Sequence, residues 1–193
     1  MSIKHGLMAL LWAEPMYGAQ LRSEFERRTG STWPLNIGQV YTTLGRLERD
    51  GLVETGEGET DPHRSYRLTP AGRTYVAEWW DTPVEREGAP RSELAIKLAL
   101  AVTVPGVDVV AVVQRQRTAS LQHLQDLTRL KRQSSPDDDL AWTLVLEHLL
   151  FSAEAETRWL DHVEAELARQ ARRPRTAVAD VEVEQTDDDR VSR

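Results

Sequence analysis

Five histidines and thirty-one carboxylates are the residues from which a hydrolytic or metal centre would be drawn, and their spacing builds none. His5, His63, His123, His148 and His162 never fall into the H-E-x-x-H pattern that sets two imidazoles on one helix face around zinc. Glu147 and His148 come nearest, with the wrong order and spacing. No G-x-S-x-G elbow and no phosphate-cradling glycine loop occurs. Asp137, Asp138 and Asp139 read as the acidic first turn of a helix, where the macrodipole favours them, rather than as metal ligands. The absence of cysteine removes thiolate ligands, thiol nucleophiles and disulfides together. The sequence therefore predicts no enzyme, no metal and no cofactor. What remains is a block of amide, hydroxyl and guanidinium groups, Gln39, Thr42, Thr43 and Arg46. Glutamine can pair two-fold with adenine, arginine with guanine, and a threonine methyl packs on the thymine methyl.

Those four side chains need a helix to present them. Asn36 is a candidate N-cap, with Gln39 three residues later as a capping-box partner. Val40, Leu44 and Leu47 then fall on one face, leaving the polar four on the other, and Gly51 closes the helix. Upstream, apolar residues at 3, 7, 8, 10 and 11 predict a first helix stopped by Pro15. Tyr17 and Gly18 open a second helix that runs through Arg28 and ends at Gly30. Downstream, 52–55 and 65–68 are strand-like runs around the polar turn GEGETDPHR, whose tip places His63 and Arg64 for phosphate or minor-groove contact. Thr69 and Pro70 restart helix in the N-cap and N1 positions, and it runs through Trp79 and Trp80. Three helices, a hairpin and a helix is the winged helix-turn-helix order.

From 93 onward everything reads as helix. A short one carries Leu94, Lys97, Leu98 and Ala101 and ends at Pro105 and Gly106; two long ones cover about 107–133 and 135–171, the second capped by Ser135 with Pro136 at N1. At a rise of about 1.5 Å per residue the long pair spans roughly 40 and 50 Å, more than a small neighbouring core can cover, so a second copy is the expected partner. The predicted fold is mainly α: a winged helix-turn-helix domain over 1–81, a linker over 82–92, a helical dimerisation domain over 93–171, and a disordered tail over 172–193. Net charge is −7, from 24 basic and 31 acidic side chains, so any nucleic-acid surface must be local. That charge favours the alternative of a winged-helix scaffold for protein interactions. No apolar run approaches the roughly 20 residues needed to cross a bilayer. The opening MSIKHGLMALLWAEP lacks a small-residue cleavage site, so the expected location is the cytoplasm, on the nucleoid when DNA is bound.

YTTLGRLERDGLVE from Tyr41 and RSYRLTPAGR from Arg64 to Arg73 resemble the signature of PadR-family transcriptional regulators, and PMYGAQL fits the start of their second helix. The helical remainder resembles the AphA-like branch by architecture. The resemblance implies a homodimer reading a near-palindromic double-stranded operator, repressing until a small molecule binds. It implies phosphate contacts from Tyr17 and Tyr41, base contacts from Gln39, Thr42, Thr43 and Arg46, and a backbone contact from Arg64. Tyr66 would either touch DNA or pack against the third helix. It also implies an effector, an aromatic carboxylic acid among the possibilities. Trp79, Trp80 and Trp142 either line such a pocket or belong to the core, and Lys97, Arg115 and His148 are candidate carboxylate partners.

Overall fold

Leu7, Met8, Leu10 and Leu11 put four apolar side chains on one short stretch. In the computed structural model, which describes residues 3–56, 64–84, 92–133 and 139–172, that stretch is helix α1 (Ile3–Leu11), with all four buried. Strand β1 (Met16–Tyr17) leads into α2 (Gly18–Arg28), and α3 (Ile37–Arg49) follows. Strands β2 (Val53–Thr55) and β3 (Ser65–Leu68) form the hairpin, and α4 (Pro70–Asp81) follows it. The hairpin's central turn, His63 included, lies outside the described residues.

The sheet has three antiparallel strands in the order β1-β3-β2. Met16 pairs with Tyr66, while Val53 pairs with Leu68 and Thr55 with Tyr66. β1 differs from the expectation, which assigned Tyr17 only to a helix start. Two residues are too few to show a period of two, and their partner lies about fifty positions away. One apolar core, from Leu7 through Val40, Leu44 and Leu47 to Val76, joins α1 to α4 with the sheet.

The second half is α5 (Glu93–Ala101), α6 (Val109–Gln133) and α7 (Leu140–Arg172). α6 and α7 pair along their length around two separate apolar clusters: Leu98, Val113 and Leu160, and then Leu127, Leu146 and Ala153. The described part of α7 opens with Asp139, whose Oδ1 accepts from the Ala141 N–H at 3.0 Å. The Ser135 and Pro136 start, with Asp137 and Asp138, lies outside the described residues, as do 85–91 of the expected linker and 173–193 of the expected tail. Among the described residues no helix is long and apolar enough to cross a membrane.

α7 also reaches the first half. Arg27 pairs with Asp139 at 3.1 Å, and the Trp142 ring lies over Gly30, so close that a Cβ there would sit 2.0 Å from it. Gly30 has φ +57°, so the turn between α2 and α3 needs glycine both for its backbone and for this neighbour.

Candidate nucleic-acid interface

α3 is fixed by its inner side. Val40, Leu44 and Leu47 are fully buried, and Asn36 caps the helix by accepting from the Gly38 N–H at 2.8 Å. The reciprocal pair expected of Gln39 is found instead at α2, where Gln20 Oε1 accepts from the Tyr17 N–H at 3.1 Å. Gln39 turns toward α1.

The outer side of α3 is not one face but two rows. Gln39, Thr43 and Arg46 lie toward α1 and, with Ile3, Lys4 and Asp50, line a concavity of about 340 Å³. Thr42 sits on the neighbouring row with Gly38, Gly45 and Arg49, spaced i, i+4, i+7 and i+11 along the helix. The Thr42 and Thr43 hydroxyls donate to the Gly38 and Gln39 carbonyls, both at 2.8 Å. Arg46 is exposed and has no hydrogen bond or ion pair from its guanidinium among the described residues. Arg49 Nε donates to the Gly45 carbonyl at 3.2 Å. Arg49 and Lys4 were missed in the sequence. Arg49 was legible, because it stands seven residues after Thr42; Lys4 reaches this surface only through the packing of α1.

The Tyr41 ring lies against the start of α2, next to Tyr17, where a Cβ on Gly18 would fall 2.7 Å from it. Tyr66, read in two ways above, is 7% exposed and belongs to the core. Arg64, expected to contact the DNA backbone from the wing, is engaged within the chain. Its Nη2 donates to Glu48 Oε1 at 2.9 Å and to Thr55 Oγ1 at 2.7 Å, so it holds the hairpin to α3. Arg67 pairs across the strands with Glu54 at 2.8 Å, and the Arg73 guanidinium lies 5.5 Å from the Trp12 ring centroid.

The effector candidates do not converge. Trp79 and Trp80 touch, with centroids 4.4 Å apart, and Trp80 is 61% exposed. Trp142 packs into the Leu127–Leu146–Ala153 cluster and over Gly30, the core placement of the two open to it, and braces α7 against the α2–α3 turn. Lys97, Arg115 and His148 are exposed on α5, α6 and α7, and no described ring contact or hydrogen bond joins their side chains to the tryptophans. A groove of about 350 Å³ between α6 and α7 contains none of the six. It is lined by Gln116, Ser120, His123 and Glu156 among others, with Ser120 Oγ donating to Glu156 Oε1 at 2.5 Å.

His5 stacks on Trp79 and Tyr75, at 5.2 and 5.5 Å between centroids, with Nε2 3.2 Å from the Tyr75 hydroxyl. Burial, and then the neighbouring Lys4, hold its pKa below the ordinary 6.5. The unfolded chain therefore takes up this proton first, so the contribution to stability is complete above pH 6.5 and is lost as pH falls through the lowered value. Denaturant unfolding between pH 7.5 and 5 should show wild type losing more stability than His5→Phe; equal slopes would refute this.

Residues 7–78 match the model of the transcriptional regulator PadR-like family, and residues 90–168 match the virulence activator alpha C-terminal model. The transcriptional regulator Rv3488 of Mycobacterium tuberculosis is 40% identical over 65 residues, 33% of this chain and 58% of that protein, so the match spans little more than half of the relative's length. Bacillus subtilis PadR in complex with operator DNA superposes with a TM-score of 0.63 at 21% identity, covering 86% of this chain and 98% of that one. The Vibrio cholerae virulence activator AphA gives 0.64 at 23% identity, over 88% and 99%. Bacillus subtilis PadR with p-coumaric acid gives 0.67 at 20% identity, over 86% and 98%. These neighbours are transcriptional regulators rather than enzymes, and they share the winged-helix fold with a helical C-terminal region. With both halves matched in this order, residues 7–78 form a domain of the PadR-like family of transcriptional regulators, followed by a virulence activator alpha C-terminal region over 90–168.

Proposed function

We propose that the chain is a dimeric repressor that reads a near-palindromic operator and is released by a small aromatic ligand. The observation that carries the reading is the outer side of α3. A core-braced helix presents Gln39, Thr42 and an unpaired Arg46 to solvent, with two tyrosines at the adjacent α2 N-terminus. Such a helix fits the major groove, and a helix start with its free N–H groups suits a phosphate. Residues 1–81 are then the reading unit and 93–171 the dimerisation unit. The second copy would cover the apolar row of α7, in which Leu140, Leu144 and Phe151 are 59–69% exposed. The ligand would sit at the Trp79–Trp80 pair, with Lys97 the first cation to test against a carboxylate. The complexes of Bacillus subtilis PadR with operator DNA and with p-coumaric acid support both halves of this reading.

The test is selection from a random pool of duplex DNA. The expected outcome is a two-fold symmetric sequence with half-sites about one turn, roughly 34 Å, apart, and an affinity that falls steeply with salt. Arg46→Ala should relax the preference at one position of each half-site by about 1–3 kcal/mol, and p-coumaric acid should weaken binding. Recovery of no sequence would overturn the reading and favour a protein-interaction scaffold.

A further inference from the structure

Gly45 stands in the middle of α3, yet nothing among the described residues explains it. Its φ is not among the positive values, which among the described residues belong to Gly30, Ser31, Gly51 and Gly106. A Cβ built there meets no atom within 4 Å, whereas Gly6, Gly18, Gly30 and Gly72 all have a neighbour at 2.8 Å or less. Glycine is among the poorest residues in a helix interior, so alanine would stabilise α3 without disturbing a contact. A residue that costs stability with no structural return is accounted for by something outside the chain. Gly45 lies between Thr42 and Arg49, on the row of α3 that points furthest from the core formed by Val40, Leu44 and Leu47.

We propose that Gly45 is the position where the backbone of the recognition helix comes closest to the operator, and that its missing side chain sets how deeply α3 enters the major groove. This rests on the DNA-reading function above and adds a depth-setting position to it. Without a Cβ, the groove floor can approach the helix backbone, and Thr42 and Arg49 on either side come into reach of base edges. A methyl at 45 holds the helix away and loosens both neighbours together, because hydrogen bonds to bases fail steeply with distance.

The proposal predicts opposite signs for folding and binding. Gly45→Ala in the full-length protein should melt about 2 °C higher than wild type. On the duplex that wild type selects from the random pool, the same variant should bind at least tenfold more weakly, with its affinity for unselected duplex little changed. Gly45→Ser should behave in the same way, since any Cβ obstructs the approach. Equal affinity of Gly45→Ala and wild type for the selected duplex overturns the inference and leaves the function standing. Failure of wild type to select any sequence removes the function first and the inference with it.

Discussion

Phe151→Glu should break the proposed dimer and leave a monomer of 21.9 kDa at micromolar concentration. Phe151 is 66% exposed on α7, in line with Leu140 and Leu144, so the single chain loses little when it changes. In a two-fold interface each substitution occurs twice, because both copies present the same patch. Burying one phenylalanine contributes about 1.5–3 kcal/mol, so losing two raises the dimer dissociation constant by roughly 10²–10⁴, before the cost of burying two carboxylates. Operator binding should fall further than any single base contact could lower it, since a monomer engages one half-site and loses the gain from linking two. Light scattering and a gel-shift titration read the two effects. A Phe151→Glu protein that remains a dimer would place the interface elsewhere, and the α5–α6 connection, where Val102 and Val104 are half exposed, would be the next surface to test.

How far the sequence carries follows from which interactions are local. The Asn36 and Thr69 caps, Pro70 at N1 and the apolar rows of α1, α3 and α7 are set within one helical turn, and they were legible. β1 was not, because its identity as a strand depends on β3, far along the chain. The helix wheel separated the polar side of α3 from its buried side correctly. It could not divide that side into two rows, since the division is made by Ile3 and Lys4 packing beside it. The ion pair of Arg64 was not legible, because its acceptor, Glu48, lies sixteen residues away on another element. The tryptophans were ambiguous for a related reason: the same ring on an apolar row serves as core or as pocket wall. The contact over Gly30 sets Trp142 against the core, while Trp80 is exposed.

Gly72→Ala should be the most damaging small substitution in the reading unit, and its effect on stability is the reverse of that expected at Gly45. A Cβ at Gly72 would sit 1.9 Å from the Leu52 carbonyl oxygen and 3.0 Å from its carbon. That carbonyl cannot withdraw cheaply, because it accepts the Thr69 N–H at 3.1 Å. Thr69 is itself committed twice: its hydroxyl donates to the Gly51 carbonyl at 2.7 Å and accepts the Gly72 N–H at 3.0 Å. The segment from Thr69 to Gly72 is thus a clamp joining the end of α3, the base of the hairpin and the first turn of α4. Inserting a methyl must break one of these bonds or shift backbone, a loss of roughly 3 kcal/mol on the scale of overpacked sites. In a chain of this size that lowers the melting temperature by about 6–12 °C. Binding to the selected duplex should weaken as well, since the hairpin is displaced relative to α3. Thermal unfolding followed by circular dichroism separates the outcomes. A melting temperature within about 2 °C of wild type would mean that the Leu52 carbonyl yields freely and that the clamp does not set the position of the wing.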